Sequence, residues 1–301
     1  MPGESHRKTA SQRPQNHLKE KHFAADVLYD IKPAEIIVNT RRILGNPFSG
    51  PFFQPLWRRL HKLALHRMNY GRGVILYNGE DWVLRHLKRR CEHIKPFVVF
   101  DVGANVGHYT AMVLSTFGGR AQVYAFEPNE TTYGILKSRH GANESARCYN
   151  AGFSDKEETL LLYSHADVSY LSSLYKRHSE QLTVTSSIAC TTLDLFCKAE
   201  RVEMIDLLKM DVEGHELKIL AGASHMIQSG RVRYIQFEFG DCNVDSRTFF
   251  RDFFELLTPR YTLHRILRRG LEPILEYNES YEIFKGTNYL ACSRALTNFP
   301  T

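Results

Sequence analysis

The sequence has no paired cysteines. Its six, Cys91, Cys148, Cys190, Cys197, Cys242 and Cys292, form no Cys-x-x-Cys, and several sit inside apolar runs. That spacing argues against a zinc site or a disulfide scaffold and for buried free thiols. No apolar run is long enough to span a bilayer, so no transmembrane segment is expected. The first residues are basic with no apolar stretch behind them, which does not read as a secretory signal, and a cytoplasmic protein is the expectation. Charge of one sign is not in large excess either. The net charge is +6, and residues 1–22 hold Arg7, Lys8, Arg13, Lys19 and Lys21 against only Glu4 and Glu20. The rest is mildly basic, which is little for a nucleic-acid surface, and no nucleic-acid partner is expected. Internal repeats and low-complexity stretches are lacking as well.

What remains is an ordinary globular composition, 43% hydrophobic and 24% charged over 301 residues, enough to bury a sizeable core. Three parts are expected: a disordered basic tail over 1–22, a helical extension over 23–95, and one large domain over 96–301. In the extension, Pro47, Pro51 and Pro55 break the chain before PLWRRLHKLALHRM. There Leu56, Leu60, Leu63, Ala64 and Met68 share a helical face, with Arg58, Arg59, Lys62 and Arg67 largely off it. Such a helix caps a core or rests on an anionic membrane or partner; the core cap is the preferred reading. Residues 81–95 read as a second helix with Val83, Leu84, Leu87, Cys91 and Ile94 inward. From residue 97, strand and helix alternate: PFVVFD, HYTAMVLSTF, AQVYAFE, NETTYGILKSRH and ARCYNAG. Residues 155–190 break the rhythm with two short strands and a serine-rich loop. Alternation then resumes through IDLLKMD and VRYIQFEFG, and the chain closes on an antiparallel strand pair. This pattern implies a mostly parallel sheet covered on both faces, with ligands at the carboxyl ends of its strands.

The strand ends carry the chemistry. In VVFDVGANVGHYT, Gly103 and Gly107 allow a tight turn and a close backbone approach, and the following helix aims its amide end at the same place. The nicotinamide fingerprint GxGxxG is not met: Asn105 takes the middle position and the last spacing is longer. Asp101 beside the loop would repel a pyrophosphate but attract an ammonium or sulfonium. Twenty positions past Gly107, Glu127 ends the second strand, placed to accept from both hydroxyls of a ribose. A nucleoside with a zwitterionic amino-acid tail, S-adenosylmethionine, fits these features together.

With these residues in place, the chain resembles the FkbM family of class I S-adenosylmethionine-dependent methyltransferases. The likeness runs from about Gly79 through Ser293 and is carried by FDVGANVGHYT, FEP at 126–128, NAGFSD at 150–155, LKMDVEGHELKILAGA at 208–223 and the closing NYLA. The resemblance implies a Rossmann-like α/β fold with about seven strands, the last antiparallel. It places Asp101, Gly103, Asn105 and Gly107 at the methionine end and Glu127 on the ribose. Pro128 and Asn129 would shape the ribose rim, with Ser154 and Asp155 toward the adenine. It also favours hydroxyl acceptors on sugars, polysaccharides or other small metabolites.

A neutral hydroxyl is a poor nucleophile and wants a base or a metal ion. Asp211, Glu213 and His215 follow the fourth strand, and Glu238 and Asp241 the fifth. One reading makes His215 or an acid the base; the other, less favoured, puts a divalent ion on Asp211, Glu213 and Glu238. Lys209 should pair with an acid. Tyr170, Ser172, Ser173, Tyr175 and Arg177 should fold over the site. The basic stretch HRILRRG at 264–270 could meet an acidic substrate or form a solvated edge strand. A nicotinamide-dependent oxidoreductase and a binding module without turnover are the rival functions.

Overall fold

The computed structural model describes residues 48–71, 78–164, 172–177 and 183–296. The expected basic tail, the extension up to residue 47 and Tyr170 lie outside them. The chain divides into two units, Met1–Lys62 and Leu63–Thr301. Pro51 opens a short 3-10 turn that leads into helix α1, Gln54–Arg67. No residue of α1 is buried.

Helix α2 (Glu80–Arg90) comes next, followed by β1 (Phe97–Val102), α3 (His108–Phe117), β2 (Ala121–Phe126), α4 (Glu130–His140) and β3 (Ala146–Tyr149). Four strands then interrupt the alternation: β4 (Gly152–Phe153), β5 (Glu158–Ser164), β6 (Ser172–Ser173) and β7 (Thr183–Thr191). The alternation resumes with α5 (Leu193–Ala199), β8 (Ile205–Met210), α6 (Glu216–Gly222), α7 (Ser224–Gln228) and β9 (Val232–Phe239). Helices α8 (Cys242–Ser246) and α9 (Phe250–Leu257) precede the closing strands β10 (Tyr261–Leu267), β11 (Gly270–Ile274) and β12 (Thr287–Ser293).

The main sheet has the order β11-β10-β12-β9-β8-β1-β2-β3. Strands β3, β2, β1, β8 and β9 pair in parallel, and β12 runs antiparallel between β9 and β10. An eighth strand, β11, forms a hairpin on β10, so the edge lies one strand further out than expected. The hairpin also buries His264 and Arg265, and Arg265 pairs with Glu272 and lies over Tyr70. The HRILRRG stretch is therefore withdrawn from solvent over His264 to Ile266, while Arg268 and Arg269 stay exposed at the hairpin turn.

Strands β1 and β8 are buried on nearly every residue because helices cover both faces of the sheet. On one face, Leu193, Ile219, Leu220, Phe250 and Phe253 pack against Phe100, Leu208 and Phe237. On the other, Val83, Leu84, Leu87, Val113 and Leu136 pack against Phe97, Val99 and Leu207. Helix α2 thus belongs to the main core, and a boundary at 95/96 would divide residues that share it. The six cysteines are free thiols and five are buried, as their spacing implies. Among the described residues, no helix is long and apolar enough to cross a membrane.

The topology fixes the place of any ligand. The chain runs from β1 outward through β2 to β3, then returns to β8 on the other side of β1 and continues to β9. Connections therefore diverge at the carboxyl ends of β1 and β8, opening a crevice there. A second sheet, β4-β7-β5-β6, was not anticipated as such: the two short strands expected in this region pair antiparallel as β5 and β7, with β4 and β6 beside them.

Candidate active site

A cleft opens at that divergence. Gly103, Asn105, Glu127, Pro128, Asp211, Glu213 and His215 line it, with Ala151 to Phe153 at the end beyond β3. Leu162 and Ile188 from the second sheet, with Leu174 after β6, form its apolar wall.

The loop after β1 turns through Gly103 (φ 76), Asn105 (φ 52) and Gly107 (φ 85). A Cβ on Gly103 would stand 2.0 Å from the Asp211 backbone oxygen, so this glycine lets β1 and β8 close side by side as well as bordering the cleft. Gly107 sits behind the loop, against the His140 ring.

Glu127 is the best-placed acid. The Asn105 backbone N–H donates to its Oε2 (3.0 Å), and the Asn129 N–H donates to its Oε1 (2.9 Å). One carboxylate thereby ties the loop after β1 to the loop after β2, and each oxygen keeps further acceptor capacity. Burial raises its pKa to about 7 against the help of those two amides. Asn129 itself caps α4 through the Thr132 N–H (3.1 Å) and does not line the cleft.

Asp101 is placed differently from the expectation. It is wholly buried beneath the cleft, where Thr110 Oγ1 donates to it (2.7 Å) and Lys209 Nζ lies 3.2 Å away. Lys209 reaches Asp211 as well (3.6 Å). A buried carboxylate needs its counter-charge within the fold, and Lys209 supplies it from the neighbouring strand. The direct attraction of Asp101 for a ligand ammonium is corrected accordingly. Ser154 and Asp155 also turn away from the cleft. Ser154 Oγ donates to Glu158 (2.7 Å), and Asp155 pairs with Lys218 (2.6 Å), which holds its carboxyl below the usual range.

On the facing rim, Glu213 takes a positive φ of 57, and Arg177 lies 3.4 Å from it and 3.5 Å from Asp241. Burial, then the nearby Asp211, raises the Glu213 pKa to about 8, with Arg177 opposing. Glu238 stands behind this rim, raised well above the carboxylate range by burial and by Asp211 and Glu213, and it does not line the cleft. Glu216 at the start of α6 accepts from the Val212 N–H (3.0 Å) and braces the loop.

His215 is committed inside the fold. Its Nδ1 lies 3.0 Å from the Tyr175 hydroxyl and its Nε2 3.1 Å from Ser154 Oγ. Because Ser154 gives its proton to Glu158, the arrangement suits a neutral ring with Nε2–H donating and Nδ1 accepting from Tyr175. Burial pushes its pKa down to about 4. The expectation of a proton-accepting His215 is corrected, since its only acceptor nitrogen is taken. The expected cover does form where it is described: Ser173 Oγ donates to the Glu213 carbonyl (3.1 Å), and Tyr175 and Arg177 reach the same loop. Among the described residues, no three His, Cys, Asp or Glu side chains are grouped to hold a metal ion.

The model of the methyltransferase FkbM domain matches residues 101–263, more than half of the chain. The chain belongs to the FkbM methyltransferase family. Hexuronic acid methyltransferase AglP of Haloferax volcanii is 30% identical over 155 residues, which take in 50% of this chain and 59% of AglP. The 2-O-methyltransferase NoeI of Sinorhizobium fredii is 26% identical over 189 residues, 58% of this chain and 76% of NoeI. The match therefore spans less than two thirds of AglP. A solved O-methyltransferase from Bacillus cereus in complex with SAH overlays with a TM-score of 0.41 at 13% identity, covering 79% of this chain and 90% of that one.

The FkbM segment leaves out part of the polar network below the cleft. Glu80, at the start of α2, accepts from Gln236 Nε2 (2.6 Å) and Asn78 Nδ2 (2.7 Å). Tyr109 donates to Gln236 (3.2 Å), and Lys209 lies over the Tyr109 ring. Sequence reasoning passed over Glu80 and Gln236. The available signal was a glutamine and a lysine inside otherwise apolar strands, which must find partners when buried.

Proposed function

We propose that the chain transfers a methyl group from S-adenosylmethionine to a hydroxyl of a sugar, polysaccharide or other small metabolite. The observation that carries this reading is Glu127, a buried acceptor at the cleft whose two oxygens already hold the loops after β1 and β2. A ribose diol donates to such a group, whereas a phosphate would be repelled by it. Gly103 and Asn105 would face the amino-acid end, Pro128 the ribose rim, and Leu162, Leu174 and Ile188 the flat base. When bound, the cofactor supplies an electrophilic methyl group on a sulfonium.

The chain's own residues supply the rest. Glu213 lines the cleft with a pKa near that of a base working at neutral pH, so it takes the acceptor's hydroxyl proton. Arg177 offsets the charge of the acids around it, and Lys209 fixes Asp211 at the cleft edge. The segment from Ser172 to Arg177 excludes water above the reacting centre. The hexuronic acid in the name of AglP supports a carbohydrate acceptor, and the 2-O position in that of NoeI supports transfer to oxygen.

Calorimetry of the full chain should show binding of S-adenosylmethionine and S-adenosylhomocysteine and none of NAD. Incubation with methyl-labelled cofactor and uronate-containing oligosaccharides should then leave label on the glycan as an alkali-resistant ether. Binding of NAD in place of the sulfonium nucleoside overturns the cofactor assignment. Label released by mild alkali would mean that a carboxyl, rather than a hydroxyl, is the acceptor.

A further inference from the structure

Among the described residues, three leucines of α1 are exposed. Leu56 is 50% exposed, Leu60 44%, Leu63 52% and Trp57 42%, in a helix of 14 residues with none buried. The preceding turn carries the same character. Phe52 is 87% exposed, with its ring held edge-on to Phe53. The Trp57 Nε1–H donates to the Phe48 carbonyl (2.7 Å), and Gln54 Nε2 donates to the Ser49 carbonyl (2.9 Å). These bonds fix the turn and the indole, so the aromatic rings are displayed from a built element.

Charge identifies what such a face meets. Arg58 and Lys62 lie across the helix from Leu56, Leu60 and Leu63, Arg59 flanks that arc beside Leu63, and all three are exposed. Arg67 falls within the apolar arc one turn beyond Leu63, where a long aliphatic stem can carry its guanidinium outward. The sequence has no aspartate or glutamate between Glu35 and Glu80, so no acid opposes this charge locally. A protein groove would satisfy the leucines but gives no reason for one-signed charge along the whole stretch. An anionic headgroup layer accounts for both, with the helix lying in the interface and the aromatic rings at the boundary.

We propose that α1 and the Phe48–Phe53 turn form a membrane-surface anchor for bilayers carrying anionic phospholipid. This rests on the N-terminal helix alone and is independent of the methyl-transfer reading.

The test is sedimentation of the full chain with phosphatidylcholine vesicles, with and without phosphatidylserine. It is run alongside emission and acrylamide quenching of Trp57 in a Trp82→Phe background. The intact chain should sediment with the phosphatidylserine vesicles, with salt-sensitive affinity, and Trp57 emission should shift to the blue. Leu60→Glu should weaken partitioning at least tenfold. Replacing Arg58, Arg59 and Lys62 together by serine should also weaken it at least tenfold and remove most of its salt dependence. Circular dichroism on both variants checks that the fold is retained. Three results would overturn the proposal. One is no association of the intact chain with phosphatidylserine vesicles. Another is equal association of the Leu60→Glu chain. The third is a Trp57 already shielded from quencher without vesicles, which would mean that a second copy or the chain's own amino-terminal residues occupy the face.

Discussion

At Glu127 two requirements meet in one carboxylate: it ties the loops after β1 and β2 together, and it is the acceptor a ribose would find. Replacing it by alanine should weaken S-adenosylmethionine binding at least tenfold, about 1.4 kcal/mol, as read by calorimetry on a chain whose circular dichroism is unchanged. Unaltered affinity would remove the ribose assignment. Glu213 bears on turnover. Its pKa of about 8 means that the carboxylate form grows as pH rises through that value. The rate at saturating cofactor should therefore climb with pH up to about 8 and then level. Glu213→Gln should lower kcat by about a hundredfold or more while leaving the cofactor affinity near wild type. A flat pH profile in the native chain, or a variant that loses binding and turnover together, would move the base elsewhere. Glu213, Glu127, Asp211 and His215 were all legible in the sequence as acids or bases at strand ends. The states of Glu127, Glu213 and His215 were not, because they depend first on depth of burial and, for Glu213, on Arg177 from a distant segment, neither of which is local in sequence.

At the scale of elements, the loop between β1 and α3 is held by contacts that admit no side chain. Gly103→Ala would set a Cβ at φ 76 and 2.0 Å from a backbone oxygen that cannot swing aside. We expect it to cost about 3 kcal/mol in denaturant unfolding, more than Gly107→Ala, whose neighbour is the movable His140 ring. Equal losses at the two positions would show that the β1–β8 approach is not the constraint. Most elements were readable from periodicity: the strand at 97–102, the helix at 108–117 and the Asn129 cap stand where the apolar runs and cap residues put them. The second sheet was not readable as one, because β4 and β6 are two residues each and exist only by pairing. Hairpin strand β11 was passed over because its Gly-Leu-Glu-Pro-Ile has little alternation.

For the molecule as a whole, the buried acids set an unusual pH dependence. Burial raises Glu80, Glu127 and Glu216 to about 7 and Glu213 to about 8, each above its unfolded value. The native state then holds protons that the unfolded chain has released, so stability falls as pH rises through these values. His215 works oppositely, but only below its unfolded value of 6.5. Between about pH 6.5 and about pH 8.5 the acids act alone, and the unfolding midpoint of the cofactor-free chain should drop across that window. A midpoint that rises over the same range would mean the acids are ionised and paired in the fold.

What the sequence determined by itself was the alternation of strand and helix, the glycine turn with Glu127 at the next strand's end, and the acids after the fourth and fifth strands. These are local patterns, and local backbone preference and apolar periodicity write them directly into the chain. The tertiary structure alone decided that Lys209, not a ligand, answers Asp101, and that His215 is locked between Tyr175 and Ser154. Each of these depends on which groups meet across long stretches of chain, and the balance of burial against counter-charge exists only once they have met.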